Sequence, residues 1–281
     1  MPLLLSRTEP MYYANLSAII ASFMADYIMR QKLGGINLTF GYFNQLALPS
    51  PTMLKDLCPW SGHASTVTKW IFCRTIELTY TAWDLAPFAK DCGFNGPPFR
   101  WDEARRFLLR CELDAAFFHL YLPSNQDGTW KKVDNETDAE LTALTEAFPT
   151  PRHAVDYIMD TFPIVKRKDE AAHGEYRTKQ TILQMYDAMQ EAISTGKAYE
   201  SQVTPYMEID SSTVKEEREI SEIITAPAYN PNAAQFPYWA REKRVNLCIT
   251  ALMRDHPGLT FDDYFDAMLL ATCPKDCAAN L

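Results

Sequence analysis

The chain has 281 residues, 47% of them apolar, which is material for one large or two small domains with a real core. Its formal net charge of −9 excludes a generic polyanion binder, so any nucleic-acid contact must come from a local basic patch. Seven scattered cysteines, an odd number, argue against a disulfide framework and for reduced thiols in the cytoplasm.

Leu3, Leu4 and Leu5 form a short apolar run that reads as a buried strand. The first ten residues carry no basic segment ahead of that run, which does not suit a signal peptide. No stretch reaches the roughly 18–20 unbroken apolar residues of a membrane span, so a soluble cytoplasmic protein without a membrane partner is expected. Leu16, Ile19, Ile20, Phe23, Met24, Tyr27 and Ile28 follow the i, i+3, i+4 rule and predict one continuous helix. Arg30 and Lys32 fall in its last turn, where cations complement the helix dipole. Gly34 and Gly35 supply a stop. Ile36 to Leu48 is aromatic-rich and imperfectly alternating, as a strand or hairpin would be, and Pro49 and Pro51 end it.

Val67 to Asp91 reads as helix broken near Pro87, followed by a turn at Gly96-Pro97-Pro98. A strong helix is predicted from about Asp102 to Tyr121. Asn125 to Thr145 is polar and reads as an exposed excursion. Pro151 suits the first turn of a short helix through Val155, Ile158, Met159 and Phe162, which Pro163 stops. Arg177 to Ser194 is a further helix, with Gly196 at its C′ position. Glu200 to Gln235 has acidic residues and prolines without an apolar period, as a linker would. Tyr238 to Asp255 and the run from Thr260 predict a helical hairpin tail. The expected class is mainly α with a small β element. The expected divisions are 1–57, 58–199, a linker over 200–235 and a tail over 236–281.

Two constellations stand out. The first is Gly34-Gly35 with Asn37, Thr39, Tyr42, Asn44 and Gln45. Short amide and hydroxyl side chains on a rim can meet phosphates or base edges, and glycine lets backbone approach closely. An ordinary helix stop with polar residues facing water would read the same way. The second is Lys166, Arg167, Lys168, Arg177 and Lys179, five cations in an acidic chain, partly offset by Asp169, Glu170 and Glu175. Either they track phosphates or they form a self-paired surface. Arg100, Arg105, Arg106 and Arg110 read as structural ion pairs with Glu103, Glu112 and Asp114.

The first constellation resembles the closing segment of the target-recognition domain in adenine-N6 DNA methyltransferases of type IIG restriction-modification and phage-defence systems. More distantly it is similar to type I specificity subunits. The matching pieces are Asn15-Leu16-Ser17, Arg30 to Gly35, Asn37-Leu38-Thr39-Phe40 and Gln45 to Pro49. Glu77 to Tyr121 and Val155 to Met189 resemble the helical C-terminal region of the same enzymes. The resemblance implies a chain that begins near the end of a recognition domain, with the catalytic machinery elsewhere. It implies DNA contact through Arg30, Lys32, Gly34, Gly35, Asn37, Thr39, Tyr42, Asn44 and Gln45, and through Lys166, Arg167, Lys168, Arg177 and Lys179. The implied partners are double-stranded DNA and a catalytic methyltransferase subunit or other defence protein.

Gly96-Pro97-Pro98-Phe99 mimics the methyltransferase Asn/Asp-Pro-Pro-Tyr/Phe motif, but glycine at its first position has no side chain to accept from a flipped base. No strand leads into a glycine-rich cofactor turn, no carboxylate–lysine set has nuclease spacing, and no cysteine has an evident base. The sequence therefore predicts no catalytic residue, no cofactor and no metal. An alternative reading is a helical interaction subunit that docks on a catalytic partner without touching DNA.

Overall fold

The computed structural model describes residues 10–33, 40–43, 45–133 and 136–206. Its helices are α1 (Pro10–Ile20), α2 (Phe23–Lys32), α3 (Phe40–Phe43), α4 (Pro51–Lys55) and α5 (Val67–Thr79). A 3-10 turn (Trp83–Leu85) leads into α6 (Ala86–Asp91), α7 (Glu103–Tyr121), α8 (Asp138–Ala147), α9 (Pro151–Asp160), α10 (Pro163–His173) and α11 (Arg177–Thr195). The mainly α class holds. Among the described residues, β structure is limited to isolated bridges such as Leu57 with Thr66. The strand expected over Ile36 to Leu48 is not present where that segment is described, since Phe40–Phe43 forms a helical turn. Leu3 to Leu5, nearly all of the linker and the hairpin tail lie outside the described residues.

α7 is the central helix of the described residues. It packs most extensively on α11 and also meets α2 and α5, while α1 lies along α5. From Cys111 to Leu120 every residue of α7 is buried, so this stretch has no solvent face. A helix buried all round needs apolar residues on every side, and Leu113, Ala115, Ala116, Phe117 and Phe118 supply them. Its polar members must each find a partner, because an unpaired buried polar group costs about 1–3 kcal/mol. Glu112 takes Arg74 of α5, Asp114 accepts the Phe23 N–H at 2.9 Å, and His119 Nε2 lies 3.0 Å from the Tyr186 carbonyl.

The continuous helix expected from Leu16 to Ile28 is two helices, and the reason is tertiary. Ser22 caps α2 by accepting from Ala25 N–H, while its hydroxyl donates to the Ile19 carbonyl. Asp114, reaching across from α7, accepts the next N–H at Phe23. Two of the orphan donors at the start of α2 are thereby satisfied, which makes the break inexpensive. Asn15 fastens α1 to α5 through a 3.0 Å bond to the Thr68 carbonyl. The helices on either side of residue 57 thus share one core, which includes Ile19, Met24, Trp70, Phe117, Met159 and Tyr186.

Elsewhere the local signals hold. Asp102 caps α7 through Arg105 N–H, and Pro151 opens α9. Gly196 closes α11 at φ 71°, a left-handed conformation that a Cβ would strain. The break expected near Pro87 falls earlier, after Tyr80, and Pro87 itself sits in the first turn of α6. The Gly96–Phe99 turn is a packing corner. Phe99 is buried, its N–H donates to the Tyr80 carbonyl, and its ring stacks on Phe94 and Tyr206.

Candidate functional site

α10 is highly exposed. None of its residues is buried, and Ile164 at its start is 60% exposed. It is fixed at both ends. Phe162, just before it, is buried and meets Phe23 of α2 edge-on at 4.8 Å. At the far end Gly174 turns the chain at φ 78°, and Tyr176 then donates from its hydroxyl to the Met159 carbonyl at 2.9 Å. Asp169 on α10 accepts the Thr178 N–H at 2.6 Å and so serves the start of α11. This carboxylate is therefore spent on a helix end and not on its cationic neighbours.

Lys166, Arg167 and Lys168 are all exposed. Among the described residues none of the three has a carboxylate within ion-pair distance. The other cations of that constellation belong to the fold. Arg177 lies 4.1 Å over the Phe107 ring. The Lys179 ammonium donates to Asp156 at 3.0 Å and Asp160 at 2.9 Å with 15% of its side chain exposed. Burial works against that charge, but the two carboxylates outweigh it and raise the Lys179 pKa. Lys179 therefore anchors α11 to α9. Arg177 and Lys179 are thus both engaged by neighbouring side chains of the fold.

Arg30 donates to both oxygens of Asp26 at 2.8 and 2.7 Å. Its guanidinium also rests 4.8 Å from the Phe162 ring, at the head of α10. The structure thus places Arg30 against the residue that precedes α10, although the two lie far apart in sequence. Lys32 is exposed at the end of α2. Tyr42 is half-buried in α3, and the Gln45 N–H closes that turn on the Tyr42 carbonyl. Gly34, Gly35, Asn37, Thr39 and Asn44 lie outside the described residues.

In the third basic group Arg105 and Arg110 form carboxylate pairs, but only Arg110 does so with one of the expected partners. Arg105 bonds Glu77 of α5 and also donates to the Thr204 carbonyl at 2.8 Å. Arg106 donates to the Leu78 carbonyl and stacks 3.7 Å over Trp101. Arg110 pairs with Glu103 at 3.5 Å. Asp114 stands apart in its chemistry. It borders a small cleft with Ser22, Thr79, Arg106 and Arg110, and burial pushes its carboxyl up to about 7. The Phe23 N–H and the Arg110 charge oppose that rise without cancelling it.

The described cysteines are buried. Desolvation pushes Cys58 up to about 12, Cys92 up to about 11 and Cys111 well above the ordinary thiol range. These are packing thiols and not ready nucleophiles. No helix of the described residues is long and apolar enough to cross a membrane. Comparison with protein-family models, curated proteins and solved structures gives no match.

Proposed function

We propose that this chain is the DNA-contacting, non-catalytic portion of an adenine-N6 DNA methyltransferase of a restriction-modification or phage-defence system. It acts with a catalytic partner, and it meets duplex DNA through the face formed by the end of α2 and the exposed side of α10. The observation that supports this reading is the exposed triplet Lys166, Arg167 and Lys168, which has no carboxylate partner among the described residues, on the helix whose preceding residue, Phe162, meets Arg30. The sequence resemblance over Asn15 to Pro49 and over the two helical blocks supports the same assignment.

Magnitudes shape the expectation. Each neutralised phosphate adds about −0.9 to the slope of log affinity against log salt. Arg30, Lys32 and the α10 triplet together give a slope of roughly −4 to −5. The net charge of −9 repels DNA elsewhere, so the isolated chain binds weakly and needs its partner for useful affinity.

Fluorescence anisotropy on a labelled duplex tests the proposal. Lys166→Gln, Arg167→Gln and Lys168→Gln combined should make the salt slope about 3 shallower, and helix content by circular dichroism should not change. Binding that ignores salt, or a slope untouched by the triple variant, would favour the apolar docking subunit instead. Calorimetric binding of S-adenosylmethionine by the isolated chain would overturn the non-catalytic assignment.

A further inference from the structure

The cleft that Asp114 borders is walled by α1, the turn into α2, α5 and α7, and its volume is about 220 Å³. Its polar groups are of two kinds. Ser17, Ser22, Thr75 and Thr79 bring hydroxyls, and each gives its proton to a backbone carbonyl one turn earlier, at Ala14, Ile19, Ile71 and Thr75. The charged groups in its wall all come from α7 and are Arg106, Arg110 and Asp114. They are spaced one turn apart and so share a face of that helix.

Asp114 has bonding capacity to spare. Its Oδ1 accepts the Phe23 N–H at 2.9 Å, but its Oδ2 accepts nothing among the described residues. Nor is Oδ2 sealed from water. The buried side-chain atoms that lack a partner among the described residues are Asn15 Oδ1, Trp60 Nε1, His119 Nδ1 and Tyr199 Oη, and Asp114 Oδ2 is not one of them. An unbonded oxygen outside that group is open to a water-sized probe. Asp114 as a whole is only 9% exposed, and the cleft is the space that it borders. The four hydroxyls cannot turn to Oδ2 without abandoning their carbonyls. A hydrogen bond to this oxygen must therefore come from something that enters the cleft.

The two arginines differ in freedom. Arg106 is fixed, because it donates to the Leu78 carbonyl at 2.9 Å and lies 3.7 Å over the Trp101 ring. Arg110 is loosely held, with 58% of its side chain exposed and a 3.5 Å contact to Glu103. It stands one turn before Asp114 and its charge acts on that carboxyl, yet among the described residues the two form no ion pair. A cation and an anion on one helix face, each with capacity left, suit a ligand that carries both charges. A lone ammonium would meet Asp114 but also two guanidinium charges. A lone carboxylate would meet the guanidinium groups but also Asp114. The volume falls below the roughly 300–1,000 Å³ of drug-sized sites, which restricts the ligand to a small one.

We propose that this cleft binds an α-amino acid with a short side chain, its ammonium donating to Asp114 Oδ2 and its carboxylate accepting from Arg110. The carboxyl must ionise to hold an ammonium, and burial keeps it neutral up to about 7, so binding strengthens as pH rises. The other groups around it do not change charge in that interval. Arg106 and Arg110 stay cationic, the Cys111 thiol is pushed well above its ordinary range, and α1, α2 and α5 bring only hydroxyls and apolar groups to the cleft.

The test uses the full chain labelled with nitrogen-15 phenylalanine. Its reporter is the Phe23 backbone N–H, assigned from a Phe23→Leu variant, because this group donates to Asp114 itself. The probes are glycine, L-alanine and L-serine, with methylamine and acetate as carriers of one charge each. At pH 8 at least one amino acid should shift the Phe23 resonance, and both single-charge probes should bind tenfold or more weakly. The same amino acid should bind tenfold or more weakly at pH 5. Asp114→Asn and the exposed Arg110→Gln should each weaken it tenfold or more at pH 8. An unmoved resonance with every amino acid would show that Oδ2 serves only water. Acetate binding as well as the amino acid would show a simple anion site on the arginines, and methylamine binding as well would show that Arg110 takes no part. Any of these three results overturns the proposal.

Discussion

Replacing Arg74 by methionine will destabilise the fold by about 3–5 kcal/mol, a large part of the stability of a domain this size. Arg74 and Glu112 have side chains 1% and 0% exposed, and their ion pair joins α5 to α7 at 2.6 Å. The second Glu112 oxygen accepts from Ser201 Oγ at 2.5 Å, and Arg74 also donates to the Trp70 carbonyl and lies 3.4 Å over the Trp70 ring. A single lost hydrogen bond would cost only about 0.5–1.5 kcal/mol. The larger cost arises because methionine leaves the Glu112 carboxylate buried without a counter-charge, and desolvating an ion costs several kcal/mol. Urea unfolding of three proteins decides the matter. Arg74→Met should be severely destabilised, and Arg74→Met with Glu112→Leu should recover most of the loss, since neither charge then remains. If the double variant is no better than the single one, packing around Trp70 holds α5 to α7 and the ion pair does not.

The parts of this fold that were legible in the sequence are those governed by neighbours a few residues away. The bounds of α7, α9 and α11 followed from an Asp cap, a first-turn proline and a left-handed glycine. The break between α1 and α2 was not legible, because its decisive partner, Asp114, is 91 residues from Phe23. α8 was missed for a different reason. It buries no residue, so it has no apolar stripe, yet Thr137 and Glu140 form a reciprocal capping box that is readable in the sequence. The aromatic run at Phe40–Phe43 has strand-like composition but forms a helical turn, as composition alone is a weak guide over so few residues. The candidate site divides in the same way. That a cluster of cations existed was visible, but its partition was not. Lys179 is claimed by Asp156 and Asp160 on α9, while Lys166, Arg167 and Lys168 have no carboxylate partner among the described residues.

Asp114→Asn should stabilise the chain at pH 8 by about 4 kcal/mol and change it little at pH 4. The sign follows from the direction of the shift. Burial holds the Asp114 carboxyl at about 7 against an ordinary value of 3.8, so the folded state binds a proton that the unfolded state releases. Its contribution is therefore complete at pH 4 and is lost as pH rises to about 7. His119 works in the opposite sense. Held neutral down to about 4 against an ordinary 6.5, it adds stability as pH rises across that interval. Between pH 4 and 6.5 the two slopes nearly cancel, and the wild-type protein should show little net dependence there from this pair. Above 6.5 only Asp114 still titrates, and stability should fall. Asparagine keeps an oxygen to accept the Phe23 N–H at the start of α2 and carries no charge to desolvate. In that variant only the histidine slope survives, so stability should climb from pH 4 to 6.5 and then level. Chemical denaturation at pH 4, 5, 6, 7 and 8 gives both curves. Their difference isolates Asp114, because every other titrating group is common to the two proteins. A difference that stays constant across the series would mean that the carboxyl is ionised throughout, balanced by Arg110 and the α2 backbone, and that the cleft around it is wetter than its burial implies.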